Sequence, residues 1–264
     1  MTVAIPVVHV DVFTAARFGG NPAAVCRLPE PADARFMQEL ARELSLPATA
    51  FVTRRTGGFE LRWFGPAGEL TLCGHGTLAS AHVLWEDGEL SRDEPARFHT
   101  MSGMLVVRSR GAWREVDFAA EPPAAVPVPP GLLDALGVTP VFVGKNRLDY
   151  LVEVESEKIV RGVTPDFARL RDVPTRGVIV TARSSSAGYD FVSRFFAPSA
   201  GIDEDPATGS SHCCLGPFWA SRLGTRELTA FQASTRGGVI RVRVEGDRVA
   251  VSGQAVTVLR GTLL

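Results

Sequence analysis

The sequence contains a stretch without Asp, Glu, Lys or Arg that reads LCGHGTLASAHVLW, residues 72–85. It begins at a glycine-containing turn, and every side of the helix that it would form is small or apolar. A helix of this kind is normally buried. We therefore expect it to run through the middle of a domain, wrapped by strands.

A second stretch has the same character and reads DPATGSSHCCLGPFW, residues 205–219. It carries a formal charge only at Asp205, and its helix is expected to follow the turn around Gly209. Pro217 lacks an N–H group and should kink that helix after its opening turns. With 264 residues and a hydrophobic content of 45%, the chain is large enough for two similar halves, each built around one such helix.

Short runs around these helices predict strands, most of them closed by Gly, Pro or charged turn residues. In the first half they are residues 6–13, 23–26, 49–53, 59–64, 105–109 and 113–118, which we expect to be half-buried and antiparallel. In the second half they are residues 141–143, 150–154, 177–182 and 189–196. Residues 239–259 are expected to form a strand, a turn at 245–247 and a second strand.

Helical periodicity is clearest in residues 32–44, where Phe36, Leu40 and Leu44 recur at four-residue spacing and Pro47 follows the end. Shorter helices are expected near residues 132–136 and 165–170. Residues 119–130 contain five prolines and show no periodicity, which is typical of a linker. The patterns together predict an α+β protein with one half on each side of this linker.

The charge and cysteine content argue against several classes of protein. The formal net charge of -1 creates no field that would attract nucleic acid or an anionic membrane. No run approaches the roughly 18 apolar residues that span a bilayer, and residues 1–13 lack the basic start of a signal peptide, so we expect a cytoplasmic protein. The four cysteines form no Cys-x-x-Cys pair, so neither a disulfide framework nor a metal site is expected, and Cys213 and Cys214 should be buried packing residues.

The starts of the two buried helices are candidate binding sites. A helix N-terminus presents free backbone N–H groups and the positive end of the helix dipole, which suit a carboxylate. Two such termini facing one cleft would hold a small acid from both sides, with glycines allowing close approach and His, Asp and Ser available for proton transfer and hydrogen bonding. The candidate residues are Gly74, His75, Gly76, Asp205, Gly209 and Ser210. This pattern favours proton transfer at a carbon next to a carboxyl group.

Each of these residues also has an ordinary interpretation. A histidine at a helix start is more often a cap or a surface residue, aspartate before proline is a common turn pair, and serine is a common cap. The hypothesis of a catalytic site therefore depends on their occurrence together.

Several strings, in the same order along the chain, resemble the signature of the phenazine-biosynthesis PhzF-like family. They are FT at 13–14, GNPAAV at 20–25, RWF at 62–64, ELTLCGHGT at 69–77, PDF at 165–167, VTA at 180–182, RFFAP at 194–198 and GIDEDPATGS at 201–210. The resemblance extends from the first strand to about Gly253.

The resemblance implies a diaminopimelate-epimerase-like fold. In that fold two pseudo-symmetric halves, each a barrel-like, mostly antiparallel sheet around a central helix, bind the substrate in the cleft between them. It implies a first half over residues 1–118 completed by a last strand over 256–264, a second half over 131–255, and a homodimer. Relatives in this family are cofactor-free isomerases that shift a proton along a conjugated, carboxylate-bearing ring. We therefore expect an isomerase of a small carboxylic acid that needs no cofactor, in secondary-metabolite biosynthesis such as that of antibiotics.

The family's site residues match particular positions of this chain. Its glycine, histidine, aspartate and carboxylate-binding Gly-Ser pair match Gly74, His75, Asp205, Gly209 and Ser210. The same matching strings contain Asn21 and Gly76, which we expect to bind the substrate.

Cys73 stands where the related epimerases keep one of two catalytic cysteines. The place of the other cysteine is taken by Pro206 or its neighbour, so a racemase with two thiols is not expected.

The chain departs from the family at one position. The family's Ser-Glu-Thr-Ala-Phe-Val strand carries a glutamate that is its main general acid/base, whereas residues 47–52 read Pro-Ala-Thr-Ala-Phe-Val. Ala48 therefore takes the place of the glutamate beside the substrate. A general acid/base typically contributes about 10²–10⁴-fold in rate, so its simple loss would leave a poor catalyst of the family's usual reaction.

Three interpretations of this departure stay open. In the first, Asp205 removes the proton and His75 returns it. In the second, Cys73 is activated by the helix terminus and acts in a one-base tautomerisation or epimerisation. In the third, the protein binds a small carboxylate without converting it. Glu43 and Glu69 are candidate replacement acids, although Glu43 lies on the polar side of the helix over residues 32–44 and should be solvated.

Overall fold

The computed structural model describes residues 4–263 of the chain. The helices of this range are α1 (Ala34–Leu44), α2 (Gly74–Glu86), α3 (Leu132–Leu136), α4 (Glu157–Gly162), α5 (Phe167–Arg171) and α6 (His212–Leu223). The strands are β1 (Ile5–Val12), β2 (Asn21–Leu28), β3 (Ala48–Arg55), β4 (Gly58–Phe64), β5 (Glu69–Leu70), β6 (Ala96–Thr100), β7 (Gly103–Arg110), β8 (Trp113–Ala119), β9 (Ala124–Ala125), β10 (Phe142–Lys145), β11 (Asp149–Glu153), β12 (Gly177–Arg183), β13 (Phe191–Phe196), β14 (Glu227–Gln232), β15 (Gly238–Glu245), β16 (Arg248–Gly253) and β17 (Ala255–Leu263).

The chain divides into two compact units. The first holds the residues up to Asp117 together with those from Ser252 onward, and the second holds Phe118–Val251. Residues 119–130, which the sequence suggests as a linker, lie in the second unit, where β9 pairs with β10. Residues 1–3 and 264, which belong to the expected first half, lie outside the described residues.

The sheet of the first unit has the order β17–β1–β2–β3–β4–β6–β7–β8, and β5 pairs with the C-terminal end of β4. The pairs β2–β3 and β4–β6 are parallel, and the other pairs in this order are antiparallel. The expectation of half-buried antiparallel strands is therefore wrong for β2 and β3, and antiparallel pairing is also wrong for β4 where it pairs with β6. Because α1 connects β2 and β3 as a crossover, these two strands run parallel, and both are buried over most of their length.

The sheet of the second unit has the order β9–β10–β11–β12–β13–β14–β15. From β10 to β15 the pairs alternate between antiparallel and parallel in the same sequence as the pairs from β1 to β7 of the first unit. The order of helices also repeats, since α6 precedes β14 as α2 precedes β6. The two units therefore share one topology.

Both helices without charge in their first turns are buried, as predicted. Every residue of α2 from Gly74 to Trp85 is buried, and the helix packs against β1, β2 and β3. In α6 the first turn is buried, and Cys213 and Cys214 are packing residues with free thiols. Pro217 lies inside α6. Its missing N–H group would have bonded the carbonyl of Cys213, which instead accepts a hydrogen bond of 2.9 Å from the N–H of Glu121.

Most of the other predicted elements are confirmed, including the apolar stripe of α1, where Met37, Leu40 and Ala41 are buried. The last stretch differs from the prediction because it contains β15, β16 and β17 rather than two strands. The sequence patterns do not predict β6, β14 or α4.

The packing of α6 predicts that Gly216→Ala destabilises the protein. A Cβ atom at Gly216 would lie 2.6 Å from Cγ1 of Val242, whereas one at Gly162 in α4 would meet nothing within 4 Å. Helix propensity favours alanine at both positions by about 1 kcal/mol, but overpacking costs about 1–3 kcal/mol. We expect Gly216→Ala to lower the free energy of unfolding in urea and Gly162→Ala to leave it equal or higher. Equal stabilisation by both changes would contradict the packing described here.

Candidate active site

The first turn of α2 places a thiol beside an imidazole. Cys73 is the N-cap residue, and its side chain makes no capping hydrogen bond to the helix. Its Sγ lies 3.6 Å from Nδ1 and 3.9 Å from Nε2 of His75. The hydroxyl of Thr77 donates a 2.7 Å hydrogen bond to the carbonyl of Cys73, which holds the turn that presents both side chains.

Gly76 is required by close packing in this turn. A Cβ atom there would lie 2.8 Å from Cδ1 of Trp63 and 3.0 Å from Sγ of Cys73. The indole N–H of Trp63 is buried and has no hydrogen-bond acceptor within residues 4–263. The close approach expected at this glycine is therefore made by a tryptophan of β4.

Burial sets the charge of His75. The residue is 8% exposed, and its loss of hydration lowers its pKa from 6.5 to about 4. The imidazole is therefore neutral at pH 7. A neutral imidazole is a hydrogen-bond donor and acceptor at once, which suits it to pass a proton on rather than to act as a cation.

Ala48 and Asn21 are the first residues of two adjacent strands. Ala48 is the first residue of β3 and Asn21 the first residue of β2; the register pairs Ala48 with Ala23, and Ala48 and Asn21 are both fully buried. Of the two candidate replacement acids, one is held in an ion pair and the other is exposed. Glu69 forms a two-pronged ion pair with Arg62, at 2.7 and 2.8 Å, and Glu43 is exposed on α1, as predicted.

In the second unit, Asp205 is buried in a turn whose hydrogen bonds orient it. Its backbone N–H donates a 3.0 Å hydrogen bond to the carbonyl of Phe195 in β13. Its Oδ2 accepts a short hydrogen bond from the hydroxyl of Thr208. A carboxylate that accepts a hydrogen bond from a hydroxyl group is favoured in its ionised form, which is the form of a general base.

The turn continues into a set of backbone donors. Among the hydrogen bonds of residues 4–263, none is donated by the backbone N–H groups of Gly209, Ser210 or Ser211, which precede α6. Gly209 and Ser211 are buried, and Ser210 is half-buried. Unsatisfied N–H groups at a helix start are the donors that bind carboxylates in proteins.

Arg176 strengthens this donor set, and sequence reasoning missed it. Its Nη1 donates a 3.1 Å hydrogen bond to Oγ of Ser210, and its Nε donates one of 2.8 Å to the fully buried Asp149. Burial alone would lower the pKa of Arg176, but the hydrogen bond and charge of Asp149 outweigh it and raise the pKa. Because Oγ of Ser210 accepts from Arg176 and donates to no group in residues 4–263, its own proton is available to a ligand.

Gln232 is a second residue that the sequence patterns did not indicate. It ends β14, is fully buried, and bonds both ends of the turn over residues 205–208. A buried glutamine at a strand end has no signature in a single sequence, because its partners lie 24 and 27 residues away.

No helix in residues 4–263 is long and apolar enough to cross a membrane. The same residues contain no group of three or more His, Cys, Asp or Glu side chains arranged to hold a metal ion.

The sequence matches the model of the phenazine biosynthesis-like family (PhzC-PhzF) over residues 10–128 and 133–261. The chain belongs to this family. It is 50% identical to an uncharacterized isomerase of Halalkalibacterium halodurans, over 98% of each chain. Membership of the family supports an isomerase-type or epimerase-type activity.

Solved structures confirm the predicted fold class. The PhzF-family crystal structure from Enterococcus faecalis superposes with a TM-score of 0.95 at 37% identity, covering 99% of this chain and 100% of that one. A probable proline racemase of Agrobacterium radiobacter has a TM-score of 0.66 at 10% identity, over 98% of this chain and 93% of its own. That second likeness concerns the fold alone. It shows that the α+β, epimerase-like architecture also occurs in a protein outside the PhzF-like family.

The burial of His75 and His212 predicts an acid-sensitive fold. Burial lowers the pKa of both histidines from 6.5 to about 4. Between pH 6.5 and pH 4 the two imidazoles are therefore protonated in the unfolded chain and neutral in the folded one. The free energy of unfolding is therefore highest above about pH 6.5. It falls as the pH drops towards 4, by up to about 3 kcal/mol for each histidine. Two-bond ¹H–¹⁵N NMR spectra should show both rings neutral at pH 5.5, whereas the urea-unfolded chain titrates near 6.5. Titration of the folded rings between pH 6 and 7 would contradict this account.

Proposed function

We propose that this protein is an isomerase that moves a proton along a conjugated small carboxylic acid, with Asp205 as the base. The observation that supports this most directly lies within the second unit. A buried carboxylate that accepts a hydrogen bond from the Thr208 hydroxyl lies in the same short turn as the unsatisfied N–H groups of Gly209, Ser210 and Ser211. A base beside a carboxylate-binding turn is what proton abstraction near a carboxyl group requires.

In the first step, the substrate carboxylate binds the N–H groups of Gly209 and Ser210 and the hydroxyl of Ser210. Arg176 supports this binding, because its positive charge polarises the Ser210 hydroxyl. Asp205 then takes a proton from an allylic carbon, and the electron pair of the broken C–H bond enters the conjugated system. The N–H and hydroxyl donors that hold the substrate carboxylate stabilise the negative charge that develops on it.

In the second step, the Cys73–His75 pair returns a proton at the far end of the conjugated system. A neutral imidazole is a weak acid by itself, and a thiol is a much stronger one. As one ring nitrogen of His75 gives its proton to carbon, the other takes the proton of Cys73, whose Sγ is 3.6 Å from Nδ1. The thiolate formed is reprotonated through solvent by the proton that Asp205 holds. These two proton transfers combine the roles of His75 and Cys73, which the amino-acid sequence left as alternatives.

The remaining candidate residues bind the substrate in this proposal. Gly74 and Gly76 contribute the first-turn N–H groups of α2, and Asn21 and Ala48 contribute the starts of β2 and β3. With a methyl group at position 48, the proton transfer falls to Asp205 and the Cys73–His75 pair. In this proposal the enzyme needs no cofactor and forms a homodimer. It acts in secondary-metabolite biosynthesis, and the family's phenazine biosynthesis-like description supports that role.

One observation favours a second function, the binding of a small carboxylate without conversion. Ala48 is fully buried at the position of the family's glutamate, and neither Glu43 nor Glu69 replaces that acid. Retention of the thiol–imidazole contact argues for catalysis, because carboxylate binding needs only the N–H groups and Ser210.

Solvent exchange separates the two functions. The protein is incubated in D₂O with dihydro-hydroxyanthranilate, vinylacetate, itaconate and 1,4-cyclohexadiene carboxylate, and ¹H NMR follows each carbon. We expect deuterium to enter at least one acid. Asp205→Asn should slow that exchange by at least about 10²-fold, since it removes the general base.

Asp203→Asn is the matched control, because Asp203 is exposed two residues away. It should exchange like the unaltered protein. An absence of exchange with every acid, combined with calorimetric binding of one of them, would establish the binding function instead.

A further inference from the structure

Gln232 uses its whole amide group on the turn that carries Asp205. Its Oε1 accepts a 2.8 Å hydrogen bond from the backbone N–H of Thr208. Its Nε2 donates one of 2.8 Å to the carbonyl of Asp205 and one of 3.1 Å to Oγ1 of Thr208. All three bonds are buried, so water does not compete for them.

These bonds have only one consistent direction. The backbone N–H of Thr208 can only donate, so the atom of Gln232 that faces it must be the carbonyl oxygen, and the other atom must be the NH₂ group. Oγ1 of Thr208 therefore accepts from Gln232, and its single proton is left for Oδ2 of Asp205. A chain of two donors thus runs from the end of β14 to the carboxylate.

The other polar atoms of Thr208 are also held. Its carbonyl accepts a 2.8 Å hydrogen bond from Oγ of Ser211, and Nδ1 of His212 lies 2.8 Å from the same oxygen. Since the N–H of Asp205 is bonded to β13, both ends of the turn are tied to neighbouring strands. The side chain of Thr208 has little freedom to leave Asp205.

We propose that Gln232 is a positioning residue for the proton transfer. Acting through Thr208, it fixes the side-chain conformation of Asp205 and keeps a proton directed at Oδ2, so the carboxylate is presented as an oriented, ionised base. Gln232 does not touch the substrate. This inference rests on the proposed role of Asp205, and it adds a residue that neither the family resemblance nor the sequence patterns assign.

The test compares variants at both links of the donor chain, using the acid of the D₂O panel that exchanges fastest. Gln232→Leu removes all three hydrogen bonds, and Gln232→Glu keeps the shape and the acceptor but loses the NH₂ donors. Thr208→Val removes the hydroxyl, and Thr208→Ser keeps it. We expect the first three to lower kcat for exchange by about 10–100-fold with KM nearly unchanged, because a misplaced base slows the chemical step more than binding. Thr208→Ser should stay within roughly threefold of the unaltered protein, because it retains the donor at the same position.

Thr181→Val is the matched control for lost stability. Thr181 is equally buried in the second unit; its hydroxyl donates a 2.7 Å hydrogen bond to the carbonyl of Val192 and accepts one of 3.0 Å from Nε1 of Trp219, so its hydroxyl bonds avoid the turn over residues 205–208. It should lower the free energy of unfolding without lowering kcat. A merely structural role for Gln232 would give Gln232→Leu, Thr208→Val and Thr181→Val the same unchanged kcat on the folded protein.

The outcomes distinguish the inference from the function on which it rests. If Asp205→Asn abolishes exchange while Thr208→Val and the Gln232 variants keep full kcat, the positioning role is wrong and the base stands. If Asp205→Asn exchanges normally, or no acid of the panel exchanges, the proposed function fails and the positioning role fails with it. Should Gln232→Leu not fold, the pair Thr208→Val and Thr208→Ser decides the question alone.

Discussion

The first turns of α2 and α6 are buried, and their backbone N–H groups have no helical carbonyl to bond. This burial constrains how each unit is built. Strands must enclose a helix that has no polar face, so each sheet wraps around one helix. The same burial removes water from the helix starts. Donors that lack an acceptor inside a protein cost free energy, and a bound carboxylate offsets that cost.

Burial also determines what the side chains beside these turns can do. His75 is neutral next to Cys73, because hydration no longer supports the imidazolium. The carboxylate of Asp205 accepts a hydrogen bond from the Thr208 hydroxyl, and such a bond favours the ionised form. Arg176 remains charged because Asp149 is paired with it. In the proposed mechanism, the division into one ionised base, one neutral relay and one polarised donor follows from burial and local hydrogen bonds rather than from the residue types alone.

The sequence predicted much of this architecture because its strongest signals are local. Charge-free stretches indicated α2 and α6, a periodic stripe indicated α1, and the family resemblance placed Ala48 where an acid is usual. The parallel pairing of β2 with β3 was mispredicted, because a buried strand has the same composition in either direction. The bonds of Gln232 and Arg176 join residues far apart in the chain, and no local pattern encodes such contacts.

In the proposed mechanism, one group removes the proton and a different group returns it. A single variant, Cys73→Ala, tests this separation by measuring deuterium uptake into the substrate and formation of the product in the same D₂O reaction. We predict that deuterium still enters the carbon from which Asp205 takes the proton, while product formation slows by about 10²-fold or more because the acid is missing. Unchanged product formation, or equal loss of both processes, would contradict the separation of roles.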